Sequence, residues 1–319
     1  MKRELIAYGM PFIDNLVHID HLPTQKDEGA HILQTSWQGG GKVSSALTAF
    51  GQLGGYSSFI GVAGADSYGD FIVKDYARYN VDASHVIRDG TNYFSLVLSD
   101  DVTQGRNIIG RAGTLRRYTV EDIDEAFVRQ HKVLHLENAD AVSHRLAEII
   151  HEEGGIVCFD GDGYSEATQE FIPQIDVFIG SEFYYTKLFG ESTEYEKNLR
   201  TVQARGPKIV VFTLGDKGSV VVWGEDGYYF APGYKVKGVD TLGAGDVYHG
   251  GFIFAMMQGK RPDECAQFAN AVSAIKCTGI GGRAAIPNYD MTVQFMETGA
   301  CDRTLIEEKH RKYESFGGL

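Results

Sequence analysis

Gly238-Val239-Asp240-Thr241-Leu242-Gly243-Ala244-Gly245-Asp246-Val247-Tyr248-His249-Gly250-Gly251-Phe252 is the stretch from which the architecture is read outward. Gly243-Ala244-Gly245 stands where a helix begins, because Ala244, Val247, Ile253, Phe254 and Met257 continue as a mostly apolar helix. A turn of small residues at a helix N-terminus lets an anion approach the unpaired N–H groups and the positive end of the helix dipole. Asp246 falls in the first turn of that helix. A carboxylate beside a bound phosphate suffers like-charge repulsion, so its presence needs a reason. One reason is to accept a proton from an attacking hydroxyl, as in phosphoryl transfer. The other is to cap the helix, worth ~1 kcal/mol.

Short apolar runs that end in glycine flank this segment on its N-terminal side. Leu5–Tyr8, Ser58–Val62, Val133–Leu136, Ile156–Phe159, Val177–Ile179, Ile209–Thr213 and Ser219–Trp223 read as buried strands. Helical patterns alternate with them at Val43–Leu53, Gly69–Tyr79, Val120–Arg129, His144–His151, Glu194–Ala204, Ala244–Gln258 and Pro262–Thr278. That alternation predicts α/β architecture on a mainly parallel sheet. Two stretches break it. Asn15–Ser36 and Tyr93–Gly110 have no room for a crossover helix and read as small antiparallel strands standing off the main sheet, either a lid over a ligand site or plain edge hairpins. The charged tail Leu305–Tyr313 reads as a solvated helix. No repeat or linker divides the chain, so residues 1–319 are expected to form one domain carrying lid segments at 15–36 and 93–110.

Composition narrows the function. Of 319 residues, 30 are Lys or Arg and 43 are Asp or Glu, for a net charge of −13. That excess of acid argues against nucleic acid as a partner, because backbone-phosphate binding rests on clustered cations. Four scattered cysteines fit neither a disulfide scaffold nor a short-spaced zinc site. No apolar run approaches the length of a membrane span or a secretory leader, so the expectation is a cytoplasmic protein with no membrane partner.

The motif Asp240-Thr241-Leu242-Gly243-Ala244-Gly245-Asp246 resembles the signature of the PfkB family of carbohydrate kinases, the ribokinase-like enzymes. A second family pattern is present near the N-terminus. Gly39-Gly40-Gly41-Lys42 leads into a small-residue helix ending at Leu53-Gly54, followed by Phe59-Ile60-Gly61 and by Gly64-Ala65-Asp66 ahead of Gly69. The resemblance runs from Gly9 to Pro287. It implies a three-layer α/β/α sandwich with a small β-lid, ATP and Mg²⁺ as cosubstrates, and phosphorylation of a hydroxyl on a small-molecule sugar or sugar derivative, with Asp246 as general base beside the Gly243, Ala244 and Gly245 turn. It also implies a homodimer paired through lid strands. A nucleoside or vitamin-alcohol kinase of the same fold, or a catalytically weak sugar-binding regulator, are the alternatives.

The resemblance carries single residues as well. Asp14, five residues after Gly9, resembles the acceptor of sugar hydroxyls, its other reading being a turn former. Gly40 and Gly41 resemble the glycines that let backbone approach the sugar. Thr213, Gly215 and Gly218 look like the nucleotide loop, and Asn270 resembles a residue near the nucleotide. Arg111 falls where relatives place a substrate or phosphate contact, against a reading as a solvated arginine. Arg106, Arg111, Arg116 and Arg117 together suggest an anionic acceptor.

Three departures stand beside these matches. Ser45 occupies a position where relatives often carry Asn. Ser181-Glu182-Phe183-Tyr184 replaces an Asn-x-x-Glu pattern, leaving Glu182 to hold Mg²⁺ through water. Asp240 and the Gly281–Ala285 turn would supply a monovalent-cation loop for K⁺, but Ala285 lacks a hydroxyl that some relatives have there. Two nucleotide motifs are excluded. Gly279-Ile280-Gly281-Gly282-Arg283-Ala284 matches a dinucleotide fingerprint but meets Pro287 instead of opening a helix, and no Walker loop is present. The ten histidines form no metal-binding pair at helical spacing, and His249 is assigned to packing or to the pocket wall.

Overall fold

Strands of a parallel sheet covered on both faces read as near-continuous apolar runs, since neither face meets water. Leu5–Tyr8 (β1) meets that condition, with all four residues buried. A computed structural model describes residues 4–100, 102 and 106–316. After β1 come Phe12–Ile19 (β2), Ile32–Gly40 (β3), Lys42–Gln52 (α1), Ser57–Ala63 (β4), Ser67–Arg78 (α2), Val81–Asp82 (β5), Val86–Arg88 (β6), Phe94–Asp100 (β7) and Arg106–Arg111 (β8). The middle of the chain gives Glu125–Val128 (α3), Val133–Leu136 (β9), Ala141–Glu152 (α4), Ile156–Gly161 (β10), Glu166–Phe171 (α5), Val177–Gly180 (β11), Glu182–Phe189 (α6) and Tyr195–Gln203 (α7). Ile209–Thr213 (β12), Gly218–Trp223 (β13), Gly227–Pro232 (β14), Ala244–Met257 (α8), Pro262–Lys276 (α9), Tyr289–Thr298 (α10) and Thr304–Tyr313 (α11) complete it.

The main sheet runs β14-β13-β12-β11-β10-β9-β1-β4-β5, with β6 also on β4. It is parallel from β12 across to β5, and β13 and β14 add an antiparallel edge. Alternate side chains of each strand point to opposite faces, so one sheet feeds two cores. Leu5, Ala7, Val133, Cys158 and Val211 pack with α1, α2, α8 and α9. Ile6, Tyr8, Leu134, Phe159 and Val210 pack with α4, α6 and α7. The result is the expected three-layer α/β/α sandwich.

The lid differs from the expectation in extent and in pairing. It is a four-stranded sheet in the order β3-β2-β7-β8. The hairpins β2–β3 and β7–β8 are antiparallel, but β2 and β7, which join them, are parallel. Its strands reach in to Phe12 and Gly40, so the lid grows out of the core between β1 and α1 and has no separate stalk. Residues 101 and 103–105 of the second lid segment lie outside the described set, as does the side chain of Arg106.

Two further expectations are corrected. Val120–Arg129 is a short 3-10 turn at Val120–Asp122 followed by α3. The Asp122 carboxylate is taken by Arg116 and by the N–H of Thr119, while Asp124 starts a new helix by accepting from the Phe127 N–H at 3.1 Å. The C-terminal helix α11 is solvated on one face only, with Glu307, Glu308, Arg311 and Lys312 exposed and Ile306, Lys309 and Tyr313 buried. Ile306 is fully buried, and the Tyr313 hydroxyl reaches Asp75 at 2.5 Å and Tyr79 at 2.8 Å. No helix among the described residues is long and apolar enough to cross a membrane.

Candidate active site

In an open α/β sheet, the loops at the carboxyl ends of the parallel strands line a crevice where ligands bind. Here that edge gathers Gly9 after β1, Glu137 after β9, Asp160 in the last turn of β10, Ser181 after β11 and Thr213 at the end of β12. The N-termini of α1 and α8 close it.

The α8 terminus is built by Asp240. One carboxylate oxygen accepts from the Leu242 N–H at 2.9 Å, the other from the Gly281 N–H at 2.8 Å. Those bonds fix the loop that enters the helix. Gly243, at φ +73°, is the N-cap, a left-handed conformation that side chains other than glycine disfavour. Nothing stands within 4 Å of where a Cβ on Gly245 would lie. The Ala244 N–H donates to the Thr241 carbonyl at 3.1 Å, while helix geometry leaves the N–H groups of Gly245 and Asp246 without an intrahelical acceptor, beside this open position, as an anion site requires. Asp246 lies half-buried in the same turn. Desolvation, reinforced by the negative charge of Asp160, pushes its carboxyl up to about 7. It therefore has the affinity for a proton that a general base at neutral pH requires. The N-cap of α8 is Gly243, so Asp246 stands in the first turn of the helix and not at the cap position.

Lys42, in the first turn of α1, ion-pairs with Asp162 at 2.9 Å. Its charge also acts on Asp160, Glu137 and Asp246. Glu137 ties α1 to the sheet by accepting from the N–H of Met10 at 3.0 Å and of Val43 at 3.3 Å. The sequence reading missed Glu137, Asp160 and Asp162. Their only signal was an acidic residue at or just beyond the end of an apolar strand.

Asp14 sits on β2, at the base of the lid, with Gln38 of β3 and Ser95 of β7 as its cross-strand neighbours. A Cβ on Gly40 would collide with the Asp14 carboxylate, so any larger residue there would have to displace the Asp14 side chain. Burial raises the Asp14 carboxyl to about 6, against a lowering hydrogen bond from Ser95. Ser45, in α1, is buried with its hydroxyl toward Gly282.

Gly40 is anchored from behind by a residue that sequence reading used only to reject a nucleotide motif. Arg283 is fully buried, and its guanidinium donates to the Gly40 carbonyl at 3.1 Å, to Ser44 Oγ at 2.5 Å and to Asp75 at 2.5 Å. Its backbone N–H and that of Ala284 donate to Gln38 Oε1 at 2.7 and 3.1 Å. Asp75 in turn accepts from Tyr313. The lid base, the Gly281–Ala285 turn, α2 and α11 thus meet at one ion pair.

The remaining expected residues spread along the same edge. Thr213 closes β12, and Gly215 and Gly218 shape the loop after it. Glu182, the first residue of α6, pairs with Lys217 of that loop at 3.1 Å. Its neighbour Ser181 donates to the carbonyl of Asp162 at 3.0 Å, which brings Glu182 and Asp162 to the same rim. Asn270 is buried and spends its amide internally, donating to the Ala231 carbonyl at 3.0 Å and accepting from Ser219. The Asp240 carbonyl, offered above to potassium, accepts from the buried ammonium of Lys276 at 2.8 Å. Arg111 is exposed at the end of β8 with its guanidinium 5.9 Å from the Tyr68 ring. Arg116 is committed to Asp122 at 2.7 Å, so its charge is spent away from Arg111.

A family model described as pfkB family carbohydrate kinase matches residues 10–288. The chain is 26% identical to a ribokinase of Haemophilus influenzae, over 93% of this chain and 99% of that one. It is 23% identical to a nucleoside kinase of Methanothermobacter thermautotrophicus, over 92% and 95%. The structure of a ribokinase from Thermotoga maritima superposes with a TM-score of 0.77 at 27% identity, covering 93% of this chain and all (100%) of that one. An Arabidopsis thaliana ribokinase complexed with ribose and ATP superposes at 0.80 with 22% identity, covering 93% and 99%.

Proposed function

The chain belongs to the pfkB family of carbohydrate kinases, and from that premise we propose that it transfers the γ-phosphoryl group of ATP to a hydroxyl of a sugar or sugar derivative, with Asp246 as general base. The observation that carries this reading is the half-buried Asp246 carboxyl, raised to about 7, in the first turn of a helix whose N-terminus opens onto free space. Asp246 accepts the hydroxyl proton, the oxygen attacks the γ-phosphorus in line, and ADP leaves. The N–H groups at the start of α8 and the Lys42 ammonium face the charge that spreads over the transferring group. Magnesium suits the all-oxygen rim of Asp162 and Glu182, and when bound with ATP it would supply charge neutralisation of the phosphates. Asp14 and the Gly40-Gly41 backbone hold the acceptor.

Asp14→Ala separates this assignment from a structural one. It is expected to raise the acceptor KM by about 10-fold or more, the cost of losing hydrogen bonds to a charged group, and to leave the ATP KM unchanged. Equal weakening of both substrates would make Asp14 a residue of lid structure only. The acceptor class is tested by measuring ADP release with ribose, fructose, a sugar phosphate, a sugar acid and a nucleoside, in wild type and Arg111→Ala. Sugar-dependent ATP consumption excludes the regulator reading. A preference for the anionic acceptors that Arg111→Ala abolishes would assign Arg111 to the substrate.

Lys276 sets a second expectation. Because its ammonium already serves the Asp240 carbonyl, rates should be equal in potassium, sodium and tetramethylammonium salts. Marked activation by potassium would show that an external cation is still needed. The outer lid strands leave Ile32 (65%), Leu33 (53%), Ile108 (62%) and Ile109 (55%) exposed, which supports pairing of two lids in a homodimer.

A further inference from the structure

We propose that His135, Asp160 and His249 form a binding site for one divalent transition-metal ion of the zinc class, distinct from the oxygen rim that suits magnesium. The three come from neighbouring elements. His135 of β9 pairs in register with Cys158 of the adjacent parallel strand β10, and Asp160, two residues on, projects from the same sheet face as Cys158. His249 reaches that face from α8, which packs there. One potential ligand atom from each residue lies within 4.8 Å of the other two. Nε2 of His249 is 3.7 Å from Oδ1 of Asp160, close to the separation of roughly 3.3 Å that bonds of 2.0–2.1 Å impose on a tetrahedron.

One buried nitrogen points to a ligand. His135 is 0% and His249 5% exposed, and Nε2 of His135 has no hydrogen-bond partner among the described residues; His249 turns Nε2 toward Asp160, the atom it would offer to the ion, and its Nδ1 lies on the far side of the ring. An unmatched buried polar atom is costly, and a metal ion would satisfy it. Nδ1 of His135 meets the Cys158 carbonyl at 3.4 Å. Donation there fixes the tautomer that leaves Nε2 as a lone pair, the usual outer partnership of a ligating histidine. Burial holds both imidazoles neutral, the form that binds metals. Two imidazoles and a carboxylate favour zinc, cobalt or nickel over magnesium. Three protein ligands leave a fourth position for water.

The test needs no turnover. Full-length protein stripped with a chelator and held in excess Mg²⁺ is titrated with Co²⁺. The expected result is one bound equivalent, displaced by Zn²⁺, with the strong visible absorption of four-coordinate cobalt. His135→Gln and His249→Gln should each weaken Co²⁺ binding by about 100-fold, and Zn²⁺ should raise the melting temperature of wild type alone. If a variant fails to fold, X-ray absorption on Zn²⁺-loaded wild type decides: scattering from two imidazoles supports the site, and an oxygen-only sphere overturns it. No Co²⁺ binding to wild type, or binding unchanged in both variants, also overturns it and leaves a polar cluster bridged by water.

Discussion

Asp246→Asn is expected to lower kcat by about 10²–10⁴-fold, the range for removing a general base, while the KM for ATP stays near the wild-type value. Wild-type kcat/KM should rise with pH through about 7 as Asp246 loses its proton. The effect on stability runs the other way. A carboxyl whose folded pKa lies above its unfolded value stabilises the fold at low pH, and that contribution is lost as pH rises through the folded value. At pH 8 the charged form of Asp246 therefore opposes folding, and the asparagine protein should melt higher than wild type. Retention of half the wild-type kcat with chemistry still limiting would remove Asp246 from the base role. A lower melting temperature would instead give it a structural one.

Asp75→Ala should produce the largest loss of stability, because it leaves Arg283 charged and unpaired in a site where both side chains are 0% exposed. Breaking a buried pair from one side costs about 3–5 kcal/mol, measured as a shift of the urea midpoint. Tyr313 loses its acceptor in the same step. Exchanging both partners for apolar residues, as in Asp75→Leu with Arg283→Met, should recover much of the loss, since the desolvation of the pair is then also avoided. A loss below about 1 kcal/mol, the range of surface ion pairs, would show that solvent reaches the pair. The double variant should still bind the acceptor poorly, because the Gly40 carbonyl has lost its anchor.

Local pattern made the sheet legible and left the ion pair hidden. Strands β1, β4 and β9 to β13 announce themselves because both faces are buried and most of their residues are apolar, the exceptions such as His135 and Asp160 standing out against the run. β14 does not, since Gly227–Pro232 alternates exposed and half-buried residues at the sheet edge. The helices α5, α6 and α10 went unread for a related reason: they are short, and much of their surface is polar. Asp246 and Gly40 were readable because a glycine turn beside a helix start is a local signal. Asp75 and Arg283 lie 208 residues apart, and nothing near either residue marks the other as its counter-charge. Helix α11 was misread on its charge, because Lys309 and Tyr313 are polar at one atom and apolar along the rest of the side chain. Each buries its body, with Lys309 Nζ on the Ile286 carbonyl at 2.5 Å.

The base of the lid and the acceptor cradle are the same piece of chain: Asp14 is part of β2, and Gly40 ends β3. If Asp14 holds the acceptor as proposed, the acceptor is bound by the lid sheet and, through Gly40 and Gly41, by the start of α1 at once, so its binding energy is available to hold the two together. Water is the smallest hydroxyl compound and outnumbers every sugar in the cell. It can give a proton to Asp246, yet it has no second group with which to hold the lid. On that assignment, idle hydrolysis of ATP would be restrained by the geometry of attachment, with no separate device needed to recognise water.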